Sequence, residues 1–126
     1  MLRYASIDIG PNAVRMLFQQ IYESENGTIF KKMSLVRLPM RLGEDAFLKG
    51  EITALKEEKL VHMAHAFNHL CSIFEVENYL ASATSAMRDS KNGKAIMERI
   101  ESEVGVAIKI IPGDEEAEVL YESIFN

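Results

Sequence analysis

Three short segments of the chain place polar and charged side chains just after predicted strands. They read Ser-Ile-Asp-Ile-Gly-Pro-Asn over residues 6–12, Ala-Ser-Ala-Thr-Ser-Ala-Met-Arg over 81–88 and Ile-Pro-Gly-Asp-Glu-Glu-Ala over 111–117. Phosphate chemistry needs a carboxylate that holds a metal ion, cations that bind phosphate and a base that activates water. The three segments together offer all of these groups and predict a site for phosphate chemistry, which none of them would predict alone.

The turn after the first predicted strand is the candidate metal and phosphate loop. Asp8 lies at the end of that strand, and its carboxylate could hold a hydrated Mg²⁺ ion. Gly10 and Asn12 belong to the turn, whose backbone amides would then face a phosphate. The alternative is that Asp8 only caps its own turn.

Several arginines lie near predicted strand ends. Arg15 is one residue into the second strand, and Arg37 and Arg41 flank the end of the third. A guanidinium can bind phosphate through two parallel hydrogen bonds. The alternative is that these are ordinary surface arginines without a ligand.

Thr84 and Arg88 follow a strand of small residues, in a predicted loop. Open α/β sheets bind ligands at the carboxyl ends of their strands, so both residues are candidate phosphate ligands. The alternative is that Arg88 pairs with Asp89 or Glu98.

Glu115 and Glu116 begin the last predicted helix. One of them could orient and deprotonate a water molecule for attack on phosphorus. The alternative is that the pair only complements the positive end of the helix dipole and keeps the surface soluble.

A histidine triplet, His62, His65 and His69, raises the question of a zinc site. The second and third have the i, i+4 spacing of a zinc-protease helix, but Ala66 stands where that motif has its glutamate. All three lie opposite the apolar face of the predicted helix, so we expect them to be exposed to solvent.

Composition excludes several classes of protein. A chain of 126 residues forms one domain at most, and a net charge of −5 argues against a nucleic-acid binder but not against a small anionic substrate. No apolar run is long enough to span a membrane, and we expect no signal peptide. The single cysteine, Cys71, excludes an internal disulfide and fits a cytoplasmic protein.

Periodicity and turn signals predict the elements that position these residues. Strands are predicted at 4–9, 14–22, 29–38, 79–83 and 106–111, and helices at 51–74, 92–104 and 114–125, with a loop at 43–50. An Asn26-Gly27 hairpin joins the second and third strands, and Gly105 ends the second helix. The order β-β-β-α-β-α-β-α predicts an α/β, ribonuclease H-like domain with a mixed five-stranded sheet and helices on both faces. The apolar face of the long helix is predicted to consist of Leu60, Met63, Ala64, Phe67, Leu70, Cys71 and Phe74.

Taken together, these motifs resemble the N-terminal half of the exopolyphosphatase/guanosine pentaphosphate phosphohydrolase (Ppx/GppA) family. The resemblance rests on residues 6–15, 41–43, 83–92 and 111–117, which agree with the family in identity, order and spacing. It implies a protein of the actin-like ATPase superfamily with two ribonuclease H-like lobes and a site in the cleft between them. Residues 1–126 would form the N-terminal lobe, with the second lobe absent.

The resemblance also implies an activity and residue roles. It implies Mg²⁺-dependent hydrolysis of a phosphoanhydride in polyphosphate or a guanosine pentaphosphate-type nucleotide, with little or no activity in an isolated lobe. Such a lobe could also form a homodimer through its unpartnered inner face. By position, Glu116 matches the catalytic carboxylate and Asp8 the acid near the metal. The matched loop and phosphate-binding positions are Gly10, Asn12, Arg15, Thr84 and Arg88.

The first loop departs from the family pattern. The family usually has Gly-Ser-Asn-Ser, whereas this chain has Pro11 and Ala13 in place of the two serines. Two hydroxyl donors are therefore lost, and Pro11 also lacks a backbone N–H. The departure favours an alternative function, a non-catalytic module that binds phosphorylated ligands or a protein partner.

Overall fold

The computed structural model describes residues 1–112, which form one mixed sheet and four helices. In chain order the elements are β1 (Leu2–Ile9), β2 (Val14–Ser24), β3 (Gly27–Leu38), α1 (Leu42–Lys49), α2 (Ala54–Ile73), β4 (Asn78–Ala83), α3 (Ser85–Asp89), α4 (Gly93–Val104) and β5 (Lys109–Ile110). The strand order is β3-β2-β1-β4-β5. The β1–β2 and β2–β3 pairs are antiparallel, and the β1–β4 and β4–β5 pairs are parallel. The predicted mixed five-stranded sheet is confirmed.

Two tight turns build the antiparallel half of the sheet. The turn between β1 and β2 closes with a 3.1 Å hydrogen bond from the Gly10 amide to the Ala13 carbonyl. The hairpin between β2 and β3 turns at residues 25–26, and Gly27 begins β3 with a φ of 117°. Residues other than glycine rarely adopt that backbone conformation, which explains why the sequence has a glycine after Asn26 in this hairpin.

The hydrophobic core lies between one face of the sheet and the helices α2 and α4. Alternate residues of β1, β2 and β4 point into this core, as a strand period of two requires. The buried residues of α2 are Leu60, Val61, Met63, Ala64 and Phe67, and Leu70, Cys71 and Phe74 pack against them. The predicted apolar face of α2 is thus confirmed. The predicted helix over 114–125 lies outside the described residues.

The histidines and the cysteine of α2 differ in their exposure to solvent. His62, His65 and His69 are all exposed, as predicted. Burial raises the pKa of the Cys71 thiol to about 11, so the thiol stays protonated and unreactive at neutral pH. Within residues 1–112, no helix has the length and apolar character needed to cross a membrane.

The predicted loop over 43–50 is wrong, because these residues form the helix α1. Only Leu42 and Asp45 of α1 are buried, whereas Phe47 and Leu48 are 90% and 77% exposed. The apolar residues of α1 therefore do not all lie on its buried face, so their spacing does not show a helical period. The next helix begins at Ala54 rather than at residue 51, because the Thr53 side chain accepts a hydrogen bond at its N-cap.

The segment after β4 also differs from the prediction. Residues Ser85–Asp89 form the short helix α3 where a loop was predicted, and five residues are too few to show a helical period. The last strand pairs only over Lys109–Ile110 instead of 106–111, although Val106 and Ile111 are buried. Their apolar character reflects burial rather than strand pairing.

A network of hydrogen bonds around the buried Asp45 connects α1 with the start of α2. The Asp45 carboxylate accepts hydrogen bonds from Lys56 Nζ at 2.8 Å and from the Thr53 amide and hydroxyl at 3.0 and 2.8 Å. Burial alone would raise the pKa of Asp45, but these hydrogen bonds and the Lys56 charge outweigh it and lower the pKa to about 2. This network joins α1 to the start of α2.

Two further side chains connect separate elements. Asn92 accepts a hydrogen bond from the Ile52 amide at 2.9 Å and donates one to the Ile52 carbonyl at 2.8 Å. Arg99 on α4 forms ion pairs with Glu57 and Glu58 at the start of α2, at 2.5 and 2.8 Å. The Asn92 contact explains why an asparagine suits the end of the motif at 83–92.

Candidate phosphate site

A row of polar and charged side chains crosses the sheet on the face opposite α2 and α4. Asp8 on β1 lies directly opposite Arg15 on β2 and Ser82 on β4. Arg15 lies opposite Arg37 on β3, and Ser82 lies opposite Lys109 on β5. Directly paired residues of neighbouring strands point to the same face, so one row of five side chains runs across all five strands.

Two oxygen atoms in the middle of this row are buried without a partner. Asp8 Oδ1 and Ser82 Oγ have no hydrogen-bond partner among the described residues. Buried polar atoms are nearly always hydrogen-bonded, and an orphaned one costs about 1–3 kcal/mol. A bound cation or ordered water would satisfy both atoms, so this part of the row has the properties of a binding site.

A cavity of about 300 Å³ lies at the end of β1, next to Asp8. Its lining consists of Asp8, Gly10, Pro11, Asn12, Ala13, Arg15 and Arg37. The structure thus brings together four of the residues that the sequence predicts for the site, namely Asp8, Gly10, Asn12 and Arg15. A carboxylate, two arginines and a turn around one cavity can bind a metal ion together with an anion.

The first loop is held in place by the segment that begins α1. The Arg41 amide donates to the Asn12 carbonyl at 3.0 Å, and the Gly43 amide donates to the Pro11 carbonyl at 2.8 Å. A Cβ atom on Gly43 would lie 3.0 Å from Pro11 Cβ, so this close approach favours glycine. The motif Arg-Leu-Gly at 41–43 is therefore a support of the first loop, a role that the sequence did not reveal.

Arg41 has an unusual backbone conformation. Its φ and ψ are 54° and 46°, in the left-handed region. A non-glycine residue in this region costs about 1–3 kcal/mol and is often found at functional sites. The Arg41 carbonyl accepts a 2.8 Å hydrogen bond from Lys56 Nζ, which holds the strained residue in place.

A second, larger cavity of about 650 Å³ adjoins the first. Its lining consists of Pro11, Asn12, Arg37, Pro39, Arg41, Gly43, Glu44, Phe47 and Leu48. Arg37 therefore lines both cavities, and Arg41 lines the second. The sequence placed these two arginines near a strand end without indicating that they share a cleft.

The structure places Thr84 next to β1 and Arg88 away from the Asp8 cavity. Thr84 is buried, and its amide donates to the Ile9 carbonyl at 3.2 Å. Arg88 pairs with Asp89 at 3.4 Å, donates to the Ile111 carbonyl and lines a different cavity. The alternative interpretation of Arg88 as an ion-pair partner of Asp89 fits this geometry, and its role as a phosphate ligand stays a prediction.

The predicted base lies outside the described residues, as does its neighbour Glu115. The Ile111 amide donates a 3.0 Å hydrogen bond to the Ala83 carbonyl, so the chain reaches the carboxyl end of β4 shortly before this pair. The catalytic role of Glu116 stays a prediction.

Comparison with known proteins agrees with the motifs and the fold. Residues 20–126 match the model of the Ppx/GppA phosphatase family. The chain belongs to the Ppx/GppA phosphatase family. It is similar to Exopolyphosphatase 1 of Mycobacterium tuberculosis, with 26% identity over 98% of this chain and 35% of that protein. It is also 28% identical to the guanosine-5'-triphosphate,3'-diphosphate pyrophosphatase of Aliivibrio fischeri, over 96% of this chain and 24% of that protein.

Solved Ppx/GppA structures have the same architecture. The Aquifex aeolicus family member superposes with a TM-score of 0.83 and 29% identity, over 91% of this chain and 36% of that one. An exopolyphosphatase from Cytophaga hutchinsonii gives a TM-score of 0.79 and 26% identity, over 92% and 36%. This Ppx/GppA chain therefore spans about a third of the length of these relatives and has the predicted ribonuclease H-like fold.

Proposed function

We propose that this chain is the N-terminal lobe of a Mg²⁺-dependent phosphoanhydride hydrolase that acts on polyphosphate or a guanosine pentaphosphate-type nucleotide. The observation that carries the proposal is Asp8 Oδ1, which has no hydrogen-bond partner within residues 1–112 and belongs to a side chain that lines the first cavity with Arg15. The names of the similar proteins support the substrate class.

Asp8 is the residue that would hold the metal ion. Mg²⁺ is usually bound by one or two carboxylates, several waters and substrate phosphates, so a single aspartate next to an anion site fits it. No group of three His, Cys, Asp or Glu side chains lies together in residues 1–112, which excludes an all-protein metal cage in that part of the chain. When bound, the ion would neutralise charge on the phosphates.

The other candidate residues would position the substrate and water. Arg15 and the backbone amides of Gly10 and Asn12 would bind the phosphate at the metal, since the arginine and the turn line the same cavity. Glu116 would orient and deprotonate the attacking water. Phosphoryl transfer depends mainly on such positioning and on electrostatic stabilisation.

We expect the isolated lobe to be inactive or nearly so. The chain spans 35% of the length of the mycobacterial exopolyphosphatase, and the described cavities are open on the side away from the core. Either cavity would leave a bound phosphate partly open to solvent. The rest of the cleft would come from a second lobe.

A non-catalytic phosphate-binding module is the second candidate function. Pro11 and Ala13 favour it, because each serine hydroxyl that the loop lacks is worth about 0.5–1.5 kcal/mol as a neutral hydrogen bond. Such a module would bind phosphate without turnover.

The test measures Mg²⁺-dependent phosphate release from long-chain polyphosphate. It compares the 126-residue chain with a two-lobe protein that carries this sequence as its N-terminal lobe. We expect release from the two-lobe protein only, and a loss of about a hundredfold or more in its Glu116→Gln and Asp8→Asn variants. Release by the isolated chain that Glu116→Gln abolishes would contradict the single-lobe interpretation.

A matched variant separates the two candidate functions. Serine is restored at positions 11 and 13 of the two-lobe protein, as Pro11→Ser with Ala13→Ser. A large rise in turnover would support the decayed binding module. High turnover with Pro11 and Ala13 in place would support the enzyme.

A further inference from the structure

Two arginines face each other on the ligand side of the sheet. Arg15 and Arg37 are directly paired across the antiparallel strands β2 and β3, and both are exposed. Neither side chain has a hydrogen bond or ion pair with a described residue. Like charges in directly opposite positions destabilise a sheet, and an anion bound between the two guanidinium groups would offset that repulsion.

The two cavities form one path that passes this pair. Arg37, Pro11 and Asn12 line both the cavity at Asp8 and the larger one that contains Arg41. The path therefore runs from Asp8 past Arg15 and Arg37 to Arg41. Its one described acid beyond Asp8 is Glu44, whose contact with Arg41 Nη1 is long, at 3.8 Å, and exposed.

The backbone of Arg41 indicates that its placement is functional. Its left-handed conformation is kept by the Asn12 carbonyl on one side and by Lys56 on the other, although glycine would adopt that conformation without strain. An arginine at this position makes the same backbone hydrogen bonds as a glycine would make, but at a cost in backbone strain. It does add a cation to the second cavity.

We propose that Arg37 and Arg41 form an outer anion subsite, which holds the phosphates that extend away from the reacting end of a phosphate chain. The inference rests on the proposed function and deepens it, because it assigns Arg37 and Arg41 to the part of the substrate beyond the reacting phosphate. Neighbouring strands are about 4.8 Å apart, so Arg15 and Arg37 are close enough to bind neighbouring groups of one extended anion, and Arg41 lines the cavity into which that anion would continue.

Binding to the 126-residue chain tests this subsite. Calorimetric titrations with Mg²⁺ compare orthophosphate, which occupies the inner cavity only, with tripolyphosphate, which reaches the outer subsite. The variants are Arg37→Gln and Arg41→Gln. Lys32→Gln is the control, since Lys32 is an exposed cation on the same strand and lines neither cavity.

We expect tripolyphosphate to bind about tenfold more tightly than orthophosphate. Arg37→Gln and Arg41→Gln should each remove most of that preference. Arg41→Gln should leave the affinity for orthophosphate nearly unchanged, because Arg41 does not line the inner cavity. The Lys32→Gln variant behaves as the parent chain. Unchanged tripolyphosphate affinity in both arginine variants would overturn the outer subsite.

A further variant separates this inference from the proposed function. Arg15→Gln should weaken both ligands, because Arg15 belongs to the inner cavity. If Arg15→Gln weakens both and the outer variants change nothing, only the outer subsite fails. If Arg15→Gln changes neither affinity, the phosphate-binding role of Arg15 in the proposed function fails as well. If the chain binds neither ligand, the outer subsite is overturned, and the proposed function is then decided by phosphate release from the two-lobe protein.

The source of the phosphate chain is distinguished by a comparison of tripolyphosphate with GTP. Phe47 lies at the rim of the second cavity with 90% of its surface exposed, where a base could stack on it. Tighter binding of GTP that Phe47→Ala abolishes would identify a nucleoside polyphosphate. Equal or weaker binding of GTP would identify an inorganic chain, and in either case the better ligand should lose affinity in Arg37→Gln and Arg41→Gln if the outer subsite is correct.

Discussion

The Nη1 atom of Arg88 donates a hydrogen bond to the carbonyl oxygen of Ile111, at 3.4 Å. This contact joins α3 to the residue that directly follows β5 and begins the motif that contains Glu116. The same guanidinium forms an exposed ion pair with Asp89. Among the described residues, Arg88 therefore holds the backbone at Ile111.

Arg88→Gln should affect stability more than phosphate binding. The loss of the Ile111 contact lowers the free energy of unfolding by about 1 kcal/mol. The affinity for orthophosphate falls less than in Arg15→Gln, because Arg88 lines a different cavity. Urea unfolding and calorimetry measure the two effects, with Lys94→Gln as a control for charge loss at the same cavity. An equal or larger fall in phosphate affinity for Arg88→Gln would restore the phosphate-ligand role.

The Asp45 network should make the fold sensitive to acid. The pKa of Asp45 is about 2 in the folded protein, against 3.8 for the free carboxyl group, so the unfolded chain takes up the proton first. The stabilisation, up to about 2 kcal/mol, is complete above pH 4 and is lost as the pH falls towards 2. Denaturant unfolding between pH 2 and 7 should show this loss in the parent chain and a smaller one in Asp45→Asn. Glu51→Gln, at an exposed position, controls for charge removal, and parallel profiles for the parent chain and Asp45→Asn would contradict the assignment.

Arg41→Gly should raise stability and reduce binding together. Glycine adopts the left-handed conformation without strain, so the free energy of unfolding rises by about 1 kcal/mol relative to Arg41→Ala, which keeps the strain. Thermal unfolding measures the gain, and tripolyphosphate titration measures the loss of the cation. A glycine variant that is less stable than the alanine variant would show that the conformation is not strained.

Gly93→Ala should strongly destabilise the fold. A Cβ atom on Gly93 would lie 2.0 Å from the Met87 carbonyl oxygen, where only backbone movement can make room. We expect a loss of more than about 3 kcal/mol, because α3 and α4 must separate. Gly105→Ala is the control: no atom lies within 4 Å of its added Cβ, and its φ of 86° predicts a loss of about 1–2 kcal/mol. Similar urea midpoints for the two variants would contradict this interpretation.

The long elements could be predicted because their signals are local. The apolar face of α2 and the Asn26-Gly27 hairpin each depend on residues close in sequence, and both are confirmed. Helix α1 was missed because its surface carries Phe47 and Leu48 in exposed positions, which removes the helical period. No single-sequence pattern distinguishes an exposed phenylalanine from a buried one.

The sequence alone determined the fold class, the family and the set of residues around the first loop. Motifs at fixed spacing carry that information, because each glycine, proline or aspartate acts within a few residues of its neighbours. Only the tertiary structure decided which side chains meet. Strand register placed Arg37 opposite Arg15 and Ser82 beside Asp8, although tens of residues separate Asp8 from Ser82 in the chain. The packing of α3 against its neighbours placed Arg88 at a different cavity, because the direction of its side chain depends on that packing rather than on sequence spacing.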